Sequence, residues 1–342
     1  MITKSFTFAG LSLILLLASL SQAENNCAPL PPGLIAWWPG DGFALDVVST
    51  NDGALRNGAT FAPGKVGQAF RFDGVDDLVE IPNVAALGFA PGTSGTLEFW
   101  LYRTKASLPI HFLGKRSGCY DNAGINYQSA IDYNNPPFPL NTWIHWVQVY
   151  RPDGVYIYTN GILYGYSPGA TFGSKNSATL RIGTSDDCPG QGFGGLIDEV
   201  SIYNRALSAG EISGIYSAGD AGKCYSNNPA PAFLRQPTTQ TQYAGMSMGL
   251  DGFAMGNPRP VFQWLKDGVP IPQSTNPILN FASLDSTNSG AYALMASNIY
   301  GVVTSAPAIL TILTPPFVTT SQEGFEQGWA GWTTDNPAVW EL

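Results

Sequence analysis

Charge is scarce in this chain: Asp, Glu, Lys and Arg make up 12% of 342 residues, about half the usual share. The surface must therefore be built from Ser, Thr, Asn, Gln, Gly and aromatic residues. Basic residues are the rarer sign, 16 against 25 acidic, for a net charge of −9. No basic cluster exists to neutralise phosphates, which argues against nucleic acid or an anionic membrane as partner. The four cysteines, Cys27, Cys119, Cys188 and Cys224, show no CxxC pair and no Cys/His spacing, so nothing points to zinc or redox chemistry. Taken alone they leave several disulfide connectivities open. After the first 23 residues no apolar run approaches membrane-spanning length, so the mature chain has no helical span.

What is present is apolar and rich in turns. A hydrophobic content of 44% is enough for real cores, and 39 Gly with 26 Pro and few helical periods point to an all-β chain. The length fits two domains. Residues 1–23 read as a signal peptide: Lys4 supplies the positive end, Phe6–Leu20 the apolar core and Ser21-Gln22-Ala23 the cleavage site. Export places the cysteines where they can pair.

The segment GLIDEVSIYNRALSAGEISGIYSAG (195–219) begins as a strand and ends as a short helix. Strict alternation puts Leu196, Asp198, Val200 and Ile202 on one face and Ile197, Glu199, Ser201 and Tyr203 on the other. Ser208 and Glu211 form a capping box, and Leu207 and Ile212 a hydrophobic staple. A carboxylate at Asp198, among apolar neighbours, must be hydrogen-bonded, paired or protonated.

Six further motifs precede this segment in order: GLIAWWPGDG (33–42), NDGALRNGATFAPGKVGQAFRFDGVDDLVEIP (51–82), TLEFWLYR (96–103), NTWIHWVQVY (141–150), VYIYTNGILY (155–164) and LRIG (180–183). Together they resemble the laminin-G-like, or concanavalin A-like, jelly-roll modules of secreted bacterial proteins, over residues 27–225. The resemblance implies a sandwich whose two termini lie on neighbouring strands. It thereby implies the pairs Cys27–Cys224 and Cys119–Cys188, each stabilising by about 4–5 kcal/mol in the chain-entropy model.

This fold hosts lectins, enzymes and adhesion modules, so function has to come from sites. Laminarinase-type glycoside hydrolases of the fold carry paired carboxylates in an E-x-D-x-x-E strand. That motif is absent; Glu98 stands alone, and Asp198 and Glu199, being adjacent, are expected on opposite faces. Two G-x-S-x-G matches, at 165–169 and 245–249, lack a following helix and a later histidine, since His111 and His145 precede both. They read as chance.

The resemblance also implies calcium near the strand ends, with Asp41, Asp46 and Asp198 at the module's acidic positions and Asp41 and Asp198 placed to share the ion. The plainer reading has Asp198 capping backbone N–H groups or pairing with Arg205, and Asp41 making an Asp-Gly turn. Asp73, Asp76 and Asp77 lack EF-hand spacing and read as a solvated hairpin. A Cys119–Cys188 bond would set Tyr120, Asp121 and Asn122 beside Asp186 and Asp187, with Tyr127, Tyr133 and Tyr166 adding rings. Aromatic faces with carboxylates and amides are the chemistry that binds sugars. Ordinary loop polarity around a structural disulfide is the alternative.

A linker, SNNPAPAF (226–233), precedes a second domain at 234–313. GNPRPVFQWLKDGVPI (256–271) and LDSTNSGAYALMASNIYG (284–301) resemble an intermediate-set immunoglobulin domain, with Trp264 as the strand-C tryptophan and Tyr292 as the tyrosine corner. Gly252 and Leu294 occupy the positions of the usual cysteines, so this domain stands on its apolar core alone. Residues 314–342 contain a Pro-Pro linker and, around Trp329 and Trp332, the pattern of a first strand of a further β domain, too short to bury a core.

The expectation is a concanavalin A-like jelly roll followed by an immunoglobulin-like sandwich, exported and non-catalytic, binding an extracellular glycan or surface protein. A structural spacer of a larger surface protein is the rival reading, and an accessory module of a carbohydrate-active enzyme is the third.

Overall fold

The computed structural model describes residues 27–106, 110–116, 125–131, 138–184, 192–224 and 230–314. The expected signal peptide, residues 226–229 of the linker and the expected start of a third domain lie outside the described residues.

The chain is all-β, in two sandwiches. The first is built from β1 (Leu34–Trp38), β2 (Ala54–Arg56), β3 (Thr60–Pro63), β4 (Gln68–Asp73), β5 (Leu78–Ile81), β6 (Gly95–Arg103), β7 (Ile110–Arg116) and β8 (Ile125–Ile131). It continues with β9 (Trp143–Arg151), β10 (Gly154–Thr159), β11 (Ile162–Pro168), β12 (Leu180–Ile182), β13 (Gly194–Tyr203) and the helix α1 (Ala209–Ala218). An eight-stranded sheet runs β11-β10-β9-β6-β13-β4-β3 with β1 also on β13, and a five-stranded sheet runs β2-β5-β12-β7-β8. Alternate residues of β6 (Leu97, Phe99, Leu101) and of β1 (Ala36, Trp38) enter the core between the sheets, with Phe70, Phe72, Phe112 and Trp146.

β13 departs from the expected alternation. Ile197, Val200 and Ile202 all enter this core, because Glu199 has φ 60° and the ladder to β6 shifts register between Asp198 and Ser201. The extra residue is a β-bulge. It turns Asp198 and Glu199 to the same outer face, not to opposite ones. A left-handed residue that is not glycine leaves no compositional trace, so alternation could not reveal it.

That outer face is covered as well. Leu207, Ile212 and Ile215 of the α1 region pack on Val147, Val149, Tyr158 and Tyr203. The capping box forms: Ser208 Oγ accepts from the Glu211 N–H, and Glu211 Oε2 accepts from the Ser208 N–H at 2.8 Å. Beside the helix, Cys27 and Cys224 are bonded, with Cα atoms 5.0 Å apart. Ala28 and Lys223 bridge in parallel next to the bond. Among the described residues, no helix is long and apolar enough to cross a membrane.

The second sandwich comprises β14 (Ala232–Arg235), β15 (Gln240–Tyr243), β16 (Met248–Asp251), β17 (Phe253–Met255), β18 (Val261–Lys266), β19 (Val269–Pro270), β20 (Ile278–Phe281), β21 (Gly290–Asn298), β22 (Gly301–Thr304) and β23 (Ala308–Leu313). Its main sheet runs β15-β23-β21-β18-β19, with β22 on β21. Trp264 is fully buried, and Tyr292 donates from its hydroxyl to the Asn288 carbonyl at 2.7 Å, closing the tyrosine corner. Where the disulfide would stand, Leu294 fills the space: a Cβ on Gly252 would lie 3.2 Å from Leu294 Cδ2.

Replacing Cys27 and Cys224 together by Ser opens a loop with a sequence separation of 197. The expected loss is about 5 kcal/mol in the chain-entropy model, read as a drop in urea midpoint with a slope no shallower than the parent's, since the opened chain exposes at least as much surface on unfolding. A midpoint within error of the parent would show that the bond contributes nothing.

Candidate functional site

Four buried titratable groups of the first sandwich converge on the outer face of β6, β9 and β13. Glu98, His145, Asp198 and Glu199 are there, each at most 1% exposed. Glu98 and His145 come from neighbouring strands, and His145 Nε2 lies 3.1 Å from Glu98 Oε1. The Trp100 ring packs on His145 with centroids 4.9 Å apart. Lys223, beside the disulfide, donates from Nζ to Glu98 Oε2 at 2.9 Å and lies 3.2 Å from Glu199 Oε2. The second sandwich closes the chain of charges: Arg259 donates from Nη2 to Glu199 Oε1 at 2.6 Å and from Nη1 to Asp41 Oδ2. Both cations also face the Trp37 indole, Lys223 at 5.1 Å and Arg259 at 5.9 Å from the ring centroid.

Burial alone would push the Glu98 carboxyl up, but Lys223 and His145 outweigh it and hold the group below the usual carboxylate range. Burial likewise pulls the Lys223 amine down, and Glu98 and Glu199 more than reverse this. Both groups thus favour their charged forms. Asp198 behaves differently. Burial first, and then the neighbouring Glu199, push its carboxyl well above the usual range, against the hydrogen bond from the Val66 N–H. Its Oδ2 accepts from the Lys65 and Val66 N–H groups at 2.8 and 2.9 Å. Its Oδ1 is buried without a partner. The backbone-capping reading of Asp198 describes these contacts, whereas Arg205 pairs instead with Glu211, Nη1 to Oε2 at 3.1 Å.

The three residues expected to hold calcium do not converge. Asp46 organises its own loop: Oδ1 accepts from the Trp37 and Val48 N–H groups at 3.0 Å, and Oδ2 from Asn51 Nδ2 at 2.8 Å. Asp41 and Asp198 do come close, but the guanidinium of Arg259 stands with them and with Glu199. A cation already fills the position assigned to the ion, so this set does not form a calcium cage. The side-chain oxygens of Asp73, Asp76 and Asp77 lie within 4.8 Å of one another. Asp73 Oδ1 accepts from the Val75 N–H and Asp77 Oδ2 from the Asp73 N–H, both at 2.8 Å, so two of the three build their own turn.

Tyr120, Asp121, Asn122, Asp186 and Asp187, with Cys119 and Cys188, lie outside the described residues, as does Tyr133. Two of the expected supporting rings are elsewhere. Tyr127 is buried in the core and donates its hydroxyl to the Leu87 carbonyl at 2.9 Å. Tyr166 is exposed and packs tilted on Tyr156, centroids 4.6 Å apart, on the helix side of the large sheet. Sequence reasoning missed Lys223 and Arg259. The signal available was a pair of polar residues, Glu98 and His145, inside two otherwise apolar strands. Such a pair demands partners.

Changing Lys223 to Met leaves Glu98 and Glu199 short of a buried cation, with an expected loss of about 3–5 kcal/mol. Adding Glu98→Gln should recover part of it; a melting temperature unchanged in the single variant would refute the role. Asp198→Asn tests the raised carboxyl. A group whose folded-state pKa is raised contributes stability below its unfolded pKa and loses it as pH rises through the folded value. Stability of the variant relative to the parent should therefore grow from mildly acid to mildly alkaline buffer, and a flat difference would exclude a raised Asp198.

Comparison with known proteins places these observations. Residues 73–213 match the family model described as the concanavalin A-like lectin/glucanases superfamily. Contactin-5 of Mus musculus is 37% identical over 68 residues, covering 18% of this chain and 6% of that protein. The cell adhesion molecule DSCAML1 of Mus musculus is 29% identical over 139 residues, covering 38% of this chain and 7% of that protein. The chain thus spans less than a tenth of the length of these relatives. Among solved structures, domain 4 of AbnA, an extracellular arabinanase from Geobacillus stearothermophilus in complex with arabinotriose, aligns over 53% of this chain and 96% of its own, at 18% identity and TM-score 0.43. The complex of titin M10 with an obscurin-like 1 immunoglobulin domain aligns over 25% of this chain and 97% of its own, at 28% identity and TM-score 0.24. With the sheets described above, the family match over residues 73–213 makes the chain a concanavalin A-like jelly roll followed by an immunoglobulin-like sandwich.

Proposed function

We propose that this chain is an exported, non-catalytic binding module that takes up glycans through segments 117–124 and 185–191 of its jelly roll. The observation that carries the reading is the superfamily match over residues 73–213, a span that contains both segments. By sequence, Tyr120, Asp121 and Asn122 of the first and Asp186 and Asp187 of the second supply the ring face, carboxylates and amide that sugars require.

The superfamily match over residues 73–213 supports a lectin-like role, and the partial match to a cell adhesion molecule supports an extracellular one. The Cys27–Cys224 bond fits an oxidising compartment. Non-catalytic work agrees with the absence of an E-x-D-x-x-E strand and with the engagement of Asp198 and Glu199 by backbone and cations.

A glycan array on the mature chain, in calcium and again in EDTA, tests the proposal. The expected result is a set of hits abolished by Tyr120→Ala or Asp187→Ala; sensitivity to EDTA would bring an ion into the binding. A blank array in both buffers would overturn glycan binding and leave the spacer role.

A further inference from the structure

Linked domains move relative to each other unless their shared interface is large and apolar. Here the two sandwiches share a core of their own. Trp37, Phe43, Leu45 and Val47 of the first are buried with Phe253 of the second, and Phe262 and Ile278 pack against them. The rings of Phe43 and Phe253 are 5.7 Å apart.

Two arginines of the second sandwich add ion pairs to acidic residues of the first. Arg235 donates from Nη1 to Asp52 Oδ2 at 2.7 Å and to Asp251 Oδ2 at 2.8 Å, tying β14 and β16 to the loop after β1. Its Nη2 also reaches Asp52 Oδ1 at 3.1 Å. Arg259 joins Asp41 and Glu199.

We infer that the two sandwiches form one cooperative folding unit, in which Arg259 and Arg235 fasten the immunoglobulin-like half over the buried acidic face of the jelly roll. Each half supplies what the other lacks. In the jelly roll Lys223 is shared between two buried carboxylates, Glu98 and Glu199. Undocking would remove Arg259 and leave Glu199 to compete with Glu98 for that one ammonium, while baring Trp37 and Phe43. The immunoglobulin-like half has no disulfide, and part of its apolar surface, Phe253 included, is buried against the first sandwich. A unit of this kind has a fixed orientation between its halves and unfolds in one step.

Hydrogen exchange along a denaturant series, on the intact chain, decides the matter. In the parent, amides of β13 and of β21 should lose protection at one common midpoint. In the double variant Arg235→Met/Arg259→Met the common transition should split, with β21 opening first. Asp52→Asn, which loosens the half-exposed arm and leaves no buried charge behind, should lower both midpoints together. Two separate midpoints in the parent would overturn the inference. So would a double variant whose strands still open together at the parental midpoint, or an Asp52→Asn shift confined to β21.

Discussion

Burial of carboxylate on the outer face of β6 and β13 is the constraint to which the rest of the structure answers. An ionised carboxyl removed from water costs several kcal/mol unless cations and donors meet it, and three carboxyl groups lie within one patch of sheet. Each is met differently. Glu98 holds His145 and Lys223, Glu199 holds Lys223 and Arg259, and Asp198 takes two backbone N–H groups and favours its neutral form. The bulge at Glu199 makes this partition possible, because it brings two consecutive carboxyls to a side where different partners can reach them.

The disulfide acquires a second role from this arrangement. Besides closing the first sandwich, it fixes the backbone on either side of Lys223: Cys224 donates to the Ala28 carbonyl at 2.8 Å, and Ala28 to the Gly222 carbonyl at 2.8 Å. A lysine on a free terminus would have to give up its side-chain and backbone freedom to enter the patch. Held next to a cross-link, it enters with much of that loss already met in folding the strand ends.

Much of this was legible in the residues. The strands of the first sandwich announce themselves by alternation, the helix by Ser208 and Glu211, the Cys27–Cys224 bond through the jelly-roll resemblance, and the second sandwich by Trp264 and Tyr292. Three things were not legible, each for a physical reason. The bulge depends on a left-handed glutamate rather than a glycine. The pairing of Arg259 with Asp41 and Glu199 joins positions up to 218 residues apart, and no local pattern encodes it. The Pro-rich linker reads as a spacer between independent beads, and composition carries no information about docking across it.

The same constraint bears on where binding can take place. A carboxylate that recognises a ligand must keep lone pairs open to it, whereas Glu98, Asp198 and Glu199 are sealed beneath α1, Lys223 and the second sandwich. Of the positions that family likeness marks out as metal ligands, Asp41 is here bound to Arg259, and Asp198 lies beside Glu199, to which the same arginine is bound. The carboxyls of that patch are engaged by protein partners, and through Arg259 the patch joins the two halves of the chain.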